Sequence, residues 1–172
     1  MEFTKVMWWW TKKKMDDLFF QDRKRLYSIY LRVEAYEQML VYCRKSNPYE
    51  TGGILIGNYS ADQISANIFQ ITSPITNSRR SKNNFRRGSV GLKNILDSMW
   101  NQGLYYIGEW HYHPNSSSSP SNIDKNQMII LSQDKNLKCP EPILMIVGGR
   151  TENWNVSARL FANNEEFILY MQ

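Results

Sequence analysis

Histidine and cysteine each occur only twice in this sequence of 172 residues. Cys43 and Cys139 are too few for a disulfide framework, and the start, Met1-Glu2-Phe3-Thr4-Lys5, lacks the charged and apolar regions of a secretory signal. Cys43 falls on an apolar helical stripe and belongs to a core. Cys139 precedes Pro140-Glu141-Pro142 and has no CxxC partner, which argues against the cysteine-held zinc of the nucleobase deaminases. No apolar run approaches the length of a membrane span, and with no signal the expected location is the cytoplasm. Neither charge sign dominates. The net charge of +5 permits contact with acidic surfaces or nucleic acid without demanding it.

What is present is concentrated. Both histidines stand in His111-Tyr112-His113-Pro114, followed by Ser121-Asn122-Ile123-Asp124. The preceding Gly103-Leu-Tyr-Tyr-Ile-Gly108 reads as an extended apolar run, so the histidines sit at or just past the end of a strand. Alternate strand residues share a face, so His111 and His113 point the same way. Two imidazoles supply half of a tetrahedral zinc site, and a carboxylate is the usual third ligand when the fourth position is left open. Asp124 is the candidate. Pro120-Ser121-x-x-Asp124 ahead of an apolar run is also a capping-box signature, and both readings can hold together. Cysteine-histidine proteolysis is excluded by count, because neither cysteine has a histidine to spare.

With 42% apolar and 22% charged residues the chain reads as one globular domain. Residues 1–25, with Trp8-Trp9-Trp10 and Lys12-Lys13-Lys14, read as an N-terminal strand or arm packed on a domain of residues 26–172. Ile29, Leu31 and Val33 alternate with polar neighbours, which predicts a strand. Tyr36, Met39, Leu40 and Cys43 predict an amphipathic helix that stops before Asn47-Pro48. Glu50 then precedes Thr51-Gly52-Gly53 and the apolar strand Ile54-Leu55-Ile56. Ile64, Ala66 and Ile68 predict one face of a further strand. Arg79 to Arg87 carries a run of basic residues, read either as a solvated loop or as a flap that guides a substrate through Arg79, Arg80, Arg86 and Arg87. Leu92, Ile95, Leu96, Met99 and Trp100 predict a second helix ended by Gln102-Gly103. A third begins at Ser121 and carries Ile123, Met128, Ile130 and Leu131. Ile143 to Val147 is an unbroken apolar run, as at the centre of a covered sheet. Trp154 to Leu160 alternates, and Phe167 to Tyr170 adds a last strand or a short helix. These elements give an α/β domain, a mixed sheet flanked by about three helices.

Glu50, then His111-x-His113-Pro114, six residues, and Ser121-x-x-Asp124 resemble the signature of the JAMM metallopeptidases, also called MPN-plus or JAB. Glu50-Thr-Gly-Gly-Ile-Leu-Ile-Gly57 is similar to that family's first block, and the likeness runs over roughly residues 28 to 162. A departure is Tyr112, where many eukaryotic members carry Ser or Thr. The resemblance implies the MPN fold, related to that of cytidine deaminase, and one Zn2+ per chain held by His111, His113 and Asp124. It also implies that Glu50 is the general base and that Ser121 donates to the oxyanion. Glu109 lies on the histidine strand and is read as a residue that orients an imidazole. Gly108-Glu109-Trp110-His-x-His-Pro is most similar to bacterial JAB peptidases encoded beside ubiquitin-activating-like and conjugating-like enzymes, notably in CBASS anti-phage operons. The implied substrate is a protein with an extended C-terminal tail, a ubiquitin-like modifier or a cGAS-like nucleotidyltransferase, joined to a target. The alternatives are a nucleic-acid-associated protein like RadC and a non-catalytic MPN scaffold; neither nucleic acid nor a membrane is called for as a partner.

Overall fold

The computed structural model describes residues 16–172. The tryptophan triplet and the lysine triplet lie outside the described residues. Strands β1 (Leu18–Asp22) and β2 (Ser28–Leu31) come first, then helix α1 (Val33–Ser46) and strands β3 (Thr51–Tyr59) and β4 (Ser65–Ile71). A small hairpin of β5 (Arg79–Arg80) and β6 (Phe85–Arg86) leads to helix α2 (Leu92–Trp100) and strand β7 (Tyr105–Pro114). Helix α3 (Asn122–Gln133) is followed by β8 (Ile143–Arg150), β9 (Asn153–Ala162) and β10 (Glu165–Met171).

The expected mixed sheet flanked by three helices is present, and it closes on itself. Its order is β1-β10-β9-β8-β7-β3-β4-β2, with parallel pairing at β2/β4 and β7/β8 and antiparallel pairing elsewhere. Closure follows from β1, which pairs with both β10 and β2 and so leaves the long sheet no free edge. Phe167 to Tyr170 resolves as strand, because it has β9 and β1 on either side to complete its hydrogen bonds.

One face of the central strands β3, β7 and β8 turns Leu55, Trp110, Tyr112, Met145 and Val147 to the main core, where the stripe Tyr36, Met39, Leu40 and Cys43 of α1 packs. Tyr112 thus belongs to the core, with its hydroxyl donating to the Gly149 carbonyl at 3.2 Å. The opposite face carries Ile54 and Ile56 under α2, and Leu144 and Ile146 under α3. Two expected core positions of α3 are reversed: Ile123 and Ile130 are 68% and 67% exposed. The cap fixes the helix phase with Asp124 inward, so Met128, one turn later, is buried and the residues on the other side face out. Ile64 is likewise exposed, because the chain is still turning before β4 begins at Ser65.

The register of β3 against β7 shifts between Leu55, opposite Gly108, and Ile56, opposite Tyr106. This bulge lets Tyr106 and Glu109, three residues apart, share one face, which a regular strand forbids. Gly108 sits in it at φ +152°, and a Cβ there would stand 1.9 Å from the Ile143 carbonyl oxygen. Backbone is on the other side of that clash, so no side chain can yield. Gly108→Ala is expected to destabilise the protein by about 2–4 kcal/mol. An unchanged urea unfolding midpoint would contradict this account of the bulge.

Candidate metal centre

His111 and His113 leave β7 on the face shared by Glu109, at the end of the strand where β3 begins. Gly52 lies opposite His111, and a Cβ on it would meet the Trp110 carbonyl, the Phe85 ring and the His111 ring within 3.0 Å. Glycine is what lets the Phe85 edge reach the imidazole, with ring centroids 5.4 Å apart. From the other side α3 presents Asp124. Ser121 caps the helix by accepting from the Asp124 amide at 3.1 Å, and Asp124 Oδ2 accepts from the Ser121 amide and hydroxyl, each at 2.7 Å. Such a box stabilises a helix start by about 1 kcal/mol. Its larger consequence is geometric, since it aims a buried carboxylate at the histidines.

His111 Nδ1 lies 3.1 Å from Asp124 Oδ1, and His113 Nε2 lies 3.7 Å from Asp124 Oδ2. Among the described residues no three His, Cys, Asp or Glu side chains are spaced as a finished metal cluster. The donor set, two imidazoles and a carboxylate, nevertheless suits zinc in its chemistry. Two ligands held at 2.0–2.1 Å in a tetrahedron stand roughly 3.3 Å apart; each histidine nitrogen lies near that distance from Asp124, but each from a different carboxylate oxygen.

The electrostatics follow from burial and pairing. Burial works against the Asp124 carboxylate, but the His111 and Ser121 hydrogen bonds outweigh it and hold its pKa well below the usual range. Burial likewise opposes the imidazolium of His111, yet Asp124 and Glu109 raise its pKa to about 9. Burial lowers the pKa of His113. Glu109 is fully buried, and its pKa is lowered despite burial by His111 and Arg87. Arg87 Nε donates to Glu109 Oε1 at 2.8 Å, and Gln127 Nε2 donates to Oε2 at 3.3 Å. Losing either member of a buried ion pair of this kind costs about 3–5 kcal/mol.

A cleft of about 270 Å³ opens beside His113. Glu50, Ser121, Asp124 and His113 form its floor and sides, and Lys82, Asn83, Asn84 and Phe85 of the hairpin form one wall. Glu50 is half-buried and tied to that wall, its amide donating to the Ser81 carbonyl at 2.8 Å. Burial first, then the Asp124 charge, raises its carboxyl to about 7. The five residues Glu50, His111, His113, Ser121 and Asp124 are therefore brought together. The basic segment divides: Arg79, Arg80 and Arg86 are exposed, with Arg80 3.4 Å from the Ser46 hydroxyl, whereas Arg87 turns inward and is not free to meet a partner. Charge alone groups the four arginines. The alternation that sends Phe85 and Arg87 inward and Arg86 outward depends on a two-residue strand, too short to be read as a period. Lys82 to Asn84, within the segment read as a loop or flap, line the cleft although they are not among its four arginines, and Ile123, expected on the apolar stripe of α3, lines it too.

The raised pKa of Glu50 and of His111 both mean that the folded, metal-free protein binds protons more tightly than the unfolded chain. Stability from Glu50 is present at low pH and is lost as pH rises to about 7; that from His111 is lost as pH rises to about 9. The thermal midpoint of chelator-treated protein should therefore fall between about pH 6.5 and 9. A flat or rising midpoint across that window would contradict the arrangement.

The sequence profile described as prokaryotic homologs of the JAB domain matches residues 32–161. A protein named CD-NTase/cGAS isopeptidase from Enterobacter hormaechei is 40% identical over 133 residues, 77% of this chain and 74% of its own. A probable metalloprotease, y4qB, of Sinorhizobium fredii is 28% identical over 73% of this chain and 79% of its own. The solution structure of a protein from Desulfitobacterium hafniense superposes with a TM-score of 0.60 at 19% identity, covering 81% of this chain and 86% of that one, a likeness of fold alone. With its histidine strand, capped aspartate and flanking glutamate set in that fold, the chain belongs to the prokaryotic branch of the JAB-domain family.

Proposed function

We propose that this protein is a zinc-dependent isopeptidase that releases a cGAS-like nucleotidyltransferase, or a ubiquitin-like modifier, from the target to which its C-terminal tail is joined. The observation that carries the reading is that Asp124 contacts both His111 and His113, and that His113 and Asp124 line one cleft together with Glu50. The relatives named CD-NTase/cGAS isopeptidase support the substrate class. The family resemblance adds to this reading a role in anti-phage defence beside activating-like and conjugating-like enzymes.

His111, His113 and Asp124 would hold one zinc ion, which when bound supplies a Lewis acid and brings the pKa of water near neutrality. Glu50 accepts the proton of the attacking water and delivers it to the leaving amine; a carboxyl raised to about 7 suits both halves of that transfer. Ser121 stands at the cleft with its hydroxyl 2.7 Å from Asp124 Oδ2. Donating to the oxyanion requires that hydroxyl to rotate away, a contribution worth roughly 3 kcal/mol when made. The exposed Arg79, Arg80 and Arg86 would meet the incoming tail. The scaffold alternative gains nothing from a complete ligand set, and the nucleic-acid alternative loses Arg87 to Glu109.

Glu50→Ala is expected to keep fold and zinc yet abolish cleavage of a fusion substrate, while Glu109→Ala lowers zinc affinity or activity by roughly 10- to 100-fold. Zinc content and single-turnover cleavage should be measured on both. An active Glu50→Ala beside a zinc-loaded, inactive Glu109→Ala would transfer the role of base to Glu109. Full zinc occupancy in His113→Ala would overturn the ligand set.

A further inference from the structure

We propose that Arg87 is a positioning residue for His111, acting through Glu109, and that it ties the hairpin wall of the cleft to the metal centre; the inference rests on the zinc-dependent reading above. Glu109 has no exposed surface, so its two oxygens can be satisfied only by neighbours. Oε1 accepts from Arg87 Nε at 2.8 Å and lies 3.5 Å from the Tyr106 hydroxyl. That leaves Oε2 for Gln127 and for His111 Nε2, which stands 3.5 Å away and has no hydrogen-bond partner of its own.

The order of these contacts sets the imidazole. With Nε2 facing a fixed carboxylate, Nδ1 is the nitrogen left facing Asp124, 3.1 Å away. A metal-binding histidine commonly has its second nitrogen held in this way, and loss of the partner weakens the site. Apart from His111 itself, Arg87 is the one cation in contact with Glu109 among the described residues. A guanidinium is suited to this because it stays charged and holds direction: its Nη1 also donates to the Gly88 carbonyl at 2.9 Å, fixing the fork. Remove it, and the buried carboxylate loses the contact that aims Oε2 at the ring.

The same side chain fixes the hairpin. Arg87 follows β6 directly, and Phe85, two residues earlier on the same inward side, sets its ring edge on His111. Lys82, Asn83 and Asn84, at the hairpin turn, line the cleft. The wall that an extended tail would touch and the ring that would bind zinc are thus anchored through one ion pair.

The test is a double-mutant cycle on zinc affinity, read by chelator competition without any substrate, using Arg87→Met, Glu109→Gln and the pair together. Arg87→Met should weaken zinc binding by about 10- to 100-fold. The double variant should bind zinc no more weakly than Glu109→Gln alone, because Arg87 acts through Glu109. Arg87→Met with wild-type zinc affinity but a lower unfolding midpoint would show a merely structural role, and losses that multiply in the double variant would show that Arg87 acts elsewhere; either overturns the proposal. Should Arg87→Met fail to fold, the double variant, which buries no charge, decides alone: parity with Glu109→Gln supports the proposal and a further tenfold loss overturns it. Wild-type protein that binds no zinc would instead overturn the metal-dependent reading itself, and this inference with it.

Discussion

His111 is buried between two carboxylates, with Asp124 at one ring nitrogen and Glu109 at the other, and the polar contacts around the site depend on that arrangement. An imidazole 3% exposed cannot rely on water to define its orientation or its charge. Both carboxylates carry their own supports. Asp124 is aimed by the Ser121 cap, and Glu109 is neutralised by Arg87 and steadied by Gln127. The bulge at Gly108 brings Tyr106 onto the same face as Glu109, so a distortion of β7 several residues from the histidines also serves them. Magnitudes rank these supports. A cap is worth about 1 kcal/mol, whereas stranding either end of the Arg87–Glu109 pair costs several.

The parts of this arrangement legible in the sequence are those written as short local patterns. His111-x-His113 states its shared face through the two-residue strand period, and Ser121-x-x-Asp124 states a cap that also orients a carboxylate. The helix of Tyr36, Met39, Leu40 and Cys43 is legible for the same reason, since its apolar spacing survives as a buried stripe over Val33–Ser46. Barrel closure is not legible, because it depends on β1 meeting β10 across nearly the whole chain. Arg87 is misread for a related cause: its partner Glu109 is 22 residues away, and no local pattern distinguishes a buried arginine from its exposed neighbour Arg86. Ile123 and Ile130 fit a helical stripe on paper, but the cap sets a different phase.

The proposed site lies where three elements meet. β7 supplies imidazoles, α3 supplies a carboxylate, and the turn into β3 supplies Glu50 beside the hairpin wall. The pieces brace one another: β3 pairs with β7, Asp124 and Gln127 of α3 contact His111 and Glu109, and Arg87 after the hairpin holds Glu109, so the site is preorganised by mutual contacts. Neither cysteine is part of this site: Cys43 lies on α1 and is buried in the main core, and Cys139 packs beneath α2.

The central claim is that two imidazoles and one carboxylate, with no sulfur, hold the metal. Zinc K-edge absorption spectroscopy on protein loaded with one equivalent of zinc tests it most directly. The account predicts a nitrogen and oxygen shell at about 2.0 Å carrying the outer-shell scattering of two imidazoles. A sulfur scatterer at about 2.3 Å, or a shell with no imidazole signature, would contradict it.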